Sequence, residues 1–245
     1  MNERFFYTAG GNDATAYAIA QLTEQGCTFL PYPKPVITHL LLPVPSLEKG
    51  YSIRGGGNLQ NILAKLPEEV KIIGGNLPEI PGHTVYDLLK DPIYVAENAY
   101  ITAHCAVRLA MEKLPKPLRG CHILVIGWGR IGKCLAALLK GLEANVTVAA
   151  RKESDRAMLH ALGYGVCDTE NIDTNPYRVI YNTVPVMLLP NTPNNCLKID
   201  LASEPGIGGN DVILARGLPG KAAPEASGEL IARTVLRLLD KEEQQ

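Results

Sequence analysis

The chain lacks the marks of several large protein classes. It carries 24 basic and 25 acidic residues, a net charge of −1, so no overall field favours nucleic acid or an anionic membrane surface. No apolar run is long enough to cross a bilayer. The six cysteines, Cys27, Cys105, Cys121, Cys134, Cys167 and Cys196, are scattered without a C-x-x-C pair. Most lie in apolar surroundings and read as small core residues. A disulfide framework is not expected in a chain of this size without a secretory signal. Met1-Asn2-Glu3-Arg4 leads into a strand-like stretch rather than a signal peptide, which makes the cytoplasm the expected compartment.

What is present suits a packed globular chain. Its 245 residues are 46% hydrophobic and 20% charged, enough for one large or two small domains. Residues 4–8, 27–30, 39–42 and 71–73 read as short strands. Residues 14–25 have helical spacing, with Gly26 suited to end the helix. Strands alternating with helical stretches predict a small N-terminal α/β domain over residues 1–97. Gly-Gly-Asn occurs at 10–12, 56–58, 74–76 and 208–210, each where a strand-to-helix loop is expected. Both residue types tolerate positive φ, so these read as tight turns, and their irregular spacing is not a repeat.

Residues 98–114 read as a long helix ended by Pro115 and Pro117, within a connector over residues 98–118. A dinucleotide-binding domain is expected over 119–222. Its signature is His122-Ile123-Leu124-Val125-Ile126-Gly127-Trp128-Gly129-Arg130-Ile131-Gly132. An apolar run feeds a G-x-G-x-x-G, a helical pattern follows, and a second apolar run ends at Arg151-Lys152. In such a βαβ unit the first glycine makes the turn and the second admits the pyrophosphate. The third lets helix and strand close up, and the helix N-terminus supplies partial positive charge. Residues 164–166, 179–182, 197–201 and 212–215 read as further strands. A helix from Pro224 closes the chain, expected over 223–245 to pack back on the N-terminal domain.

An NAD site usually places Asp or Glu at the end of the second strand. Arg151 stands there, with Lys152 beside it, and a guanidinium suits a 2′-phosphate. NADP(H) is therefore the expected cofactor, with NAD(H) as the alternative. Asn182-Thr183-Val184-Pro185 ends a third strand and can line the ribose or the nicotinamide. Asp200, followed by Leu201-Ala202, reads either as a loop-organising carboxylate or as a site residue. Lys221, in a Gly-Pro-rich loop, reads either as a contact for an acidic substrate or as a surface lysine. His104, in Thr102-Ala103-His104-Cys105, is either a general acid/base or a structural residue. A metal site is not expected: His104 and Cys105 point to different sides of a helix, and no partner at i+4 completes a ligand pair.

These stretches together resemble the dipicolinate synthase family, specifically its Rossmann-type component, a relative of the D-2-hydroxyacid dehydrogenases. The resemblance runs from about residue 98 to the C-terminus. Its specific parts are Ile199-Asp200-Leu201-Ala202-Ser203-Glu204-Pro205-Gly206 and Gly217-Leu218-Pro219-Gly220. It implies a doubly wound parallel sheet with a smaller N-terminal α/β domain. It also implies oxidation of a dihydrodipicolinate-type carboxylate to dipicolinate, the calcium chelator of bacterial spores, with a second subunit that resembles flavoproteins, in a homo- or hetero-oligomer. On the chemistry of the residues themselves, Thr102, His104 and Lys221 are the catalytic candidates. Gly127, Trp128, Gly129, Arg130, Ile131, Gly132, Arg151, Lys152, Asn182, Thr183, Val184, Pro185, Asp200 and Ala202 are the cofactor-binding ones. Two features depart from the family. The N-terminal domain is short, with no family match over residues 31–57, and the connector helix usually carries Thr-x-Glu-Gly where this chain has Thr102-Ala103-His104-Cys105. The competing readings are a related dehydrogenase with a different carboxylate substrate and a non-catalytic nucleotide-binding partner subunit.

Overall fold

The computed structural model describes residues 4–192 and 195–244, so the first three residues of Met1-Asn2-Glu3-Arg4, expected to lead into a strand rather than form a signal peptide, lie outside the described residues. In chain order the elements are β1 (Phe5–Thr8), α1 (Asp13–Glu24), β2 (Thr28–Phe29), β3 (His39–Leu41), α2 (Leu59–Leu63), β4 (Lys71–Gly74) and β5 (Val85–Asp87). A single 3-10 turn, Leu88–Lys90, leads to α3 (Pro92–Lys113), β6 (His122–Ile126), α4 (Arg130–Gly141), β7 (Asn145–Ala149), α5 (Glu153–Ala161) and β8 (Gly165–Cys167). Then follow β9 (Val179–Asn182), β10 (Leu197–Asp200), β11 (Val212–Leu214), α6 (Leu218–Ala222) and α7 (Pro224–Glu243). They form two compact units, residues 1–98 with 219–245, and residues 99–218. The divisions fall inside α3 and α6.

The first unit is built on five parallel strands in the order β2-β1-β3-β4-β5. A parallel sheet is covered on both faces, which is why β3 and β4 are apolar after their first residues, His39 and Lys71, with no polar alternation. Phe6, Leu40, Leu41, Ile72 and Ile73 are wholly buried. Asn12 caps α1: its Oδ1 accepts from Thr15 N at 3.0 Å, and Thr15 Oγ1 accepts from Asn12 N at 3.3 Å. The glycine of α7 lets that helix lie close on α1, because a Cβ at Gly228 would overlap the Cβ of Tyr17. Leu230, Ile231, Val235 and Leu239 of α7 are buried, the period expected of one covered helix face.

Two expectations are corrected here, and two elements are added that the sequence does not show. The connector helix begins at Pro92 rather than at 98. Asp91 caps it, accepting from Ile93 N at 3.0 Å and Tyr94 N at 2.8 Å, and proline fits the first helical position because its missing N–H is not needed there. The elements α2 and β5 carry no clear apolar period: Leu59 is the one buried residue of α2, and β5 is a half-buried edge. The loops at Gly74–Asn76 and Gly208–Asn210 lead into strands β5 and β11, not into helices.

Asp91 also lies 2.7 Å from Arg237 of α7. Burial raises its pKa, but the Arg237 bond, the backbone donors Tyr94 and Ile93, and the Arg237 charge outweigh it and hold the carboxyl below its ordinary value. A depressed carboxylate contributes stability above its unfolded pKa and loses it as pH falls through the folded value. Thermal melts of wild type and Asp91→Asn are therefore expected to differ at neutral pH and to converge in acid. A gap unchanged down to the acid range would exclude this linkage.

The second unit is a six-stranded parallel sheet in the order β11-β10-β9-β6-β7-β8, the doubly wound Rossmann arrangement read from the sequence. Its order reverses between β6 and β9. One face is covered by helices: Ala103, Ala106 and Ala110 of α3, Leu135 and Leu139 of α4, and Leu159 of α5 pack on Ile123, Val125, Val148, Val179 and Tyr181. The small residues of α3 bring its backbone close enough for Tyr181 Oη to donate to the Ala106 carbonyl at 3.3 Å, and burial pushes that phenol well up. Among the described residues the opposite face is covered by loops instead, through Leu189, Cys196 and Ile207. There the buried Lys198 ammonium bridges both oxygens of Asp211, at 2.6 and 2.8 Å, and this bond holds the Asp211 carboxyl below its ordinary value.

All six cysteines are free. Burial raises the thiol pKa of Cys27, Cys105, Cys121, Cys167 and Cys196, which favours the protonated thiol over the reactive thiolate. Among the described residues no helix is long and apolar enough to cross a membrane.

Candidate functional site

The glycine loop sits at the C-terminal end of β6, beside the β6/β9 reversal. Gly127 has φ of +103°, a region closed to most side chains. Its N–H donates to Ala149 O at 2.9 Å, which ties the loop to the end of β7. A Cβ there would stand 2.5 Å from Thr183 Oγ1 and 2.7 Å from Val184 Cγ2. A Cβ at Gly132 would overlap the carbonyl oxygen of Gly127. Gly129 is different: its backbone is extended, no side chain caps the helix it opens, and nothing lies within 4 Å of where its Cβ would be. Two glycines thus close the turn and the third leaves open space over the first turn of α4. The amides of that turn have no capping acceptor, and the helix dipole adds partial positive charge. This is the shape and field of a phosphate site.

The neighbouring residues are arranged around that opening. Thr183 locks the loop from β9, its N–H and hydroxyl both donating to Ile126 O, at 3.0 and 2.8 Å. Trp128 is half-buried, edge-on to Tyr164 with ring centroids 6.0 Å apart, and the Lys133 ammonium lies 5.7 Å from its ring centre. Arg130 is exposed, while Ile131 packs against the helix-side core.

Arg151 and Lys152 stand exposed just past β7. Among the described residues neither side chain has an ion pair. The reason is local, and the sequence does not show it. Arg156 of α5 turns back, donating to Ala150 O at 2.8 Å and Arg151 O at 2.7 Å, and pairs with Asp168 at 2.6 Å. It therefore fixes the backbone that presents Arg151 while its own charge is satisfied. In the sequence Arg156 is only one more polar residue on a helix.

Asn182 and Asp200 form the next layer. Both are almost wholly buried. Asp200 Oδ1 accepts from Asn182 Nδ2 at 2.9 Å and Ala202 N at 3.0 Å, and Oδ2 accepts from Gly206 N at 2.7 Å and Ile207 N at 3.2 Å. Asn182 closes on Val184, accepting from its N–H at 3.1 Å and donating to its carbonyl at 2.9 Å. These bonds make the Asp200 carboxylate an organiser of the loops: both of its oxygens accept from the chain. Gly206, not singled out in the sequence, is needed because a Cβ there would reach Asn182 Nδ2 and the carbonyls of Val184 and Val186. Pro185 is exposed at the tip.

The substrate-side candidates lie apart from this cluster in the chain. Thr102 is buried on α3, and His104 is exposed two residues on, so the helix sends them to different sides. The His104 ring lies 5.1 Å from that of Tyr100. Both line an apolar cavity of about 680 Å³ with Val107, Lys133, Leu138 and Leu142. Lys221 is exposed and belongs to the first unit. Among the described residues no group of three His, Cys, Asp or Glu is placed to hold a metal ion.

No family model matches the chain. Over 159 residues it is 30% identical to one of the dipicolinate synthase polypeptides of Bacillus subtilis, a stretch of 58% of this chain and 53% of that protein. The match thus spans about half the length of that relative. In three dimensions the chain resembles the crystal structure of dipicolinate synthase from Bacillus subtilis, with a TM-score of 0.82, 22% identity and coverage of 100% and 99% of the two chains. Dipicolinate synthase from Bacillus halodurans gives 0.83, 20% identity, and coverage of 97% and 98%. D-lactate dehydrogenase of Escherichia coli shares the fold more distantly, at 0.65 and 13% identity over 99% and 98%. The resemblance carried by the sequence motifs is borne out in sequence and in fold.

Proposed function

We propose that the chain is an NADP(H)-dependent oxidoreductase of the dipicolinate synthase type, oxidising a dihydrodipicolinate-type precursor to dipicolinate. The observation that carries this reading is the open space above Gly129, at the uncapped start of α4, with Arg151 presented at the end of the adjoining strand. The pyrophosphate is assigned to the amides after Gly129, and the 2′-phosphate to Arg151 and Lys152. Thr183 and the loop held by Asn182 and Asp200 bound the nicotinamide side. A bound nicotinamide supplies the hydride acceptor at C4. Loss of hydride from one ring carbon and a proton from the ring makes the product aromatic, so the protein has mainly to orient ring and cofactor and to receive a proton. His104, Thr102 and Lys221 are the candidates for proton handling and carboxylate contact. The reading includes a role in spore formation, a cytoplasmic location and a flavoprotein-like second subunit.

The single tryptophan, Trp128, reports on the site by its fluorescence. NADPH is expected to bind more tightly than NADH, and Arg151→Ala to narrow the gap by about tenfold, the worth of one charge-assisted phosphate contact. Equal affinities in the wild-type chain would exclude the 2′-phosphate assignment. His104→Ala is expected to lower turnover more than it weakens NADPH binding. Unchanged turnover would return His104 to the wall of its cavity. The loss of the family glutamate at Thr102-Ala103-His104-Cys105 favours a second reading, a nucleotide-binding partner without chemistry of its own. Tight NADPH binding with no turnover, with or without a flavoprotein partner, would select it.

A further inference from the structure

The strand beside the cationic strand end finishes on an acid. Strand β8 pairs with β7 in parallel, Ala149 opposite Cys167, and Ala150 N donates to Cys167 O at 3.1 Å. Asp168 therefore stands level with the end of β7, one strand over from Arg151. A dinucleotide site that takes a free ribose 2′-hydroxyl uses a carboxylate in this region, whereas a 2′-phosphate is met by a guanidinium. Both kinds of charge are present here: Arg151 with Lys152 after one strand, Asp168 after the next.

Arg156 stands between them. Its Nη1 lies 2.8 Å from Ala150 O, 2.7 Å from Arg151 O and 2.6 Å from Asp168 Oδ2. One nitrogen thus joins the Asp168 carboxylate to the backbone of Arg151, which makes the two residues neighbours in space. The other oxygen of Asp168 accepts from Glu170 N at 3.0 Å, so the carboxylate is held at the head of its own turn. The Asp168 side chain is 35% exposed and that of Arg156 25%. The pair therefore lies at the surface of the strand ends and not in the core. Among the described residues no other cation pairs with Asp168.

We propose that Arg156 sets the dinucleotide preference of this site by neutralising Asp168. With Arg156 in place the anion is cancelled, and the strand ends present net positive charge to a 2′-phosphate. Without it a bare carboxylate stands beside Arg151. That carboxylate repels the phosphate and accepts a hydrogen bond from a 2′-hydroxyl, so selectivity is set by repulsion as well as by attraction. Arg156 acts here through Asp168 and the chain, as a positioning residue. The inference rests on the NADP(H) reading above and adds the residue that decides between the two cofactors.

Titrations of the full chain with NADPH and with NADH, read by Trp128 fluorescence, test it, with thermal melts to follow folding. Arg156→Gln is expected to lower the preference for NADPH over NADH about tenfold, chiefly by weakening NADPH. Adding Asp168→Asn to that variant is expected to bring the preference back to within about threefold of wild type. Arg156→Lys keeps a cation opposite Asp168 and should keep the preference. Equal weakening of both nucleotides by Arg156→Gln would make the residue a structural prop and overturns the proposal. A preference that stays low in the double variant also overturns it, because the carboxylate is then not the cause, as does an Arg156→Lys chain that behaves like Arg156→Gln. A wild-type preference for NADPH that Arg156→Gln leaves intact overturns this inference alone. Equal wild-type affinities overturn the NADP(H) reading and the inference with it.

Discussion

Gly132→Ala is expected to abolish nucleotide binding, weakening NADPH by about 100-fold or more. The added methyl would meet the carbonyl oxygen of Gly127. That atom is backbone, fixed by Gly127 N to Ala149 O and by the Thr183 bonds to Ile126, so it cannot swing aside as a flexible side chain does. Overpacking of this kind costs about 1–3 kcal/mol, and about 2.7 kcal/mol is a 100-fold change in affinity. Relief comes by sliding α4 away from β6, which moves the amides that follow Gly129. Circular dichroism should show the fold retained while the Trp128 fluorescence response to NADPH is lost. A wild-type response in this variant would remove the glycine loop from the binding site. Gly129→Ala is the contrast. Its Cβ would meet nothing in the protein itself, so it should fold normally and lose affinity only through contact with the ligand.

The second large effect is expected in stability. Asp200→Ala leaves Asn182 Nδ2 and the N–H groups of Ala202, Gly206 and Ile207 without their acceptor in a buried site. Removing one side of a buried charged network costs about 3–5 kcal/mol. For a chain of this length that is a fall in Tm of roughly 10 °C or more. Asp200→Asn should fare little better, because its amide keeps one acceptor and turns a donor toward backbone N–H groups. A thermal melt showing a drop of under about 2 °C for the alanine variant would mean the four bonds are not what holds the loops.

The parts of the fold legible in the sequence are those set by local pattern. The β6 strand, the glycine loop and α4 follow from an apolar run, three glycines and a helical period, each readable within a few residues. Pro224 marks the start of α7 for the same reason. The start of α3 is hidden because Asp91-Pro92 reads as a break when it is a cap followed by a first-turn proline. The loop at Gly208–Asn210 is ambiguous because the same turn residues precede strands and helices alike.

In the site, residue types are legible and their duties are not. Arg151 shows itself by occupying a position where an acid is usual. Arg156 does not, because its bonds run back to carbonyls five and six positions earlier, a distance at which a helix pattern carries no signal. Asp200 looks equally suited to ligand or loop, and only the meeting of β9, β10 and the loop at Gly206 assigns its oxygens to the chain.

The sequence by itself determined the doubly wound sheet, the glycine loop and the cationic strand end, because each depends on neighbours in the chain. The tertiary structure decided which glycine is closed and which is open, that Arg156 holds the backbone beside Arg151, and that Asp200 serves the loops. Those outcomes depend on groups that the parallel crossovers bring together from distant positions, and no local period encodes such meetings.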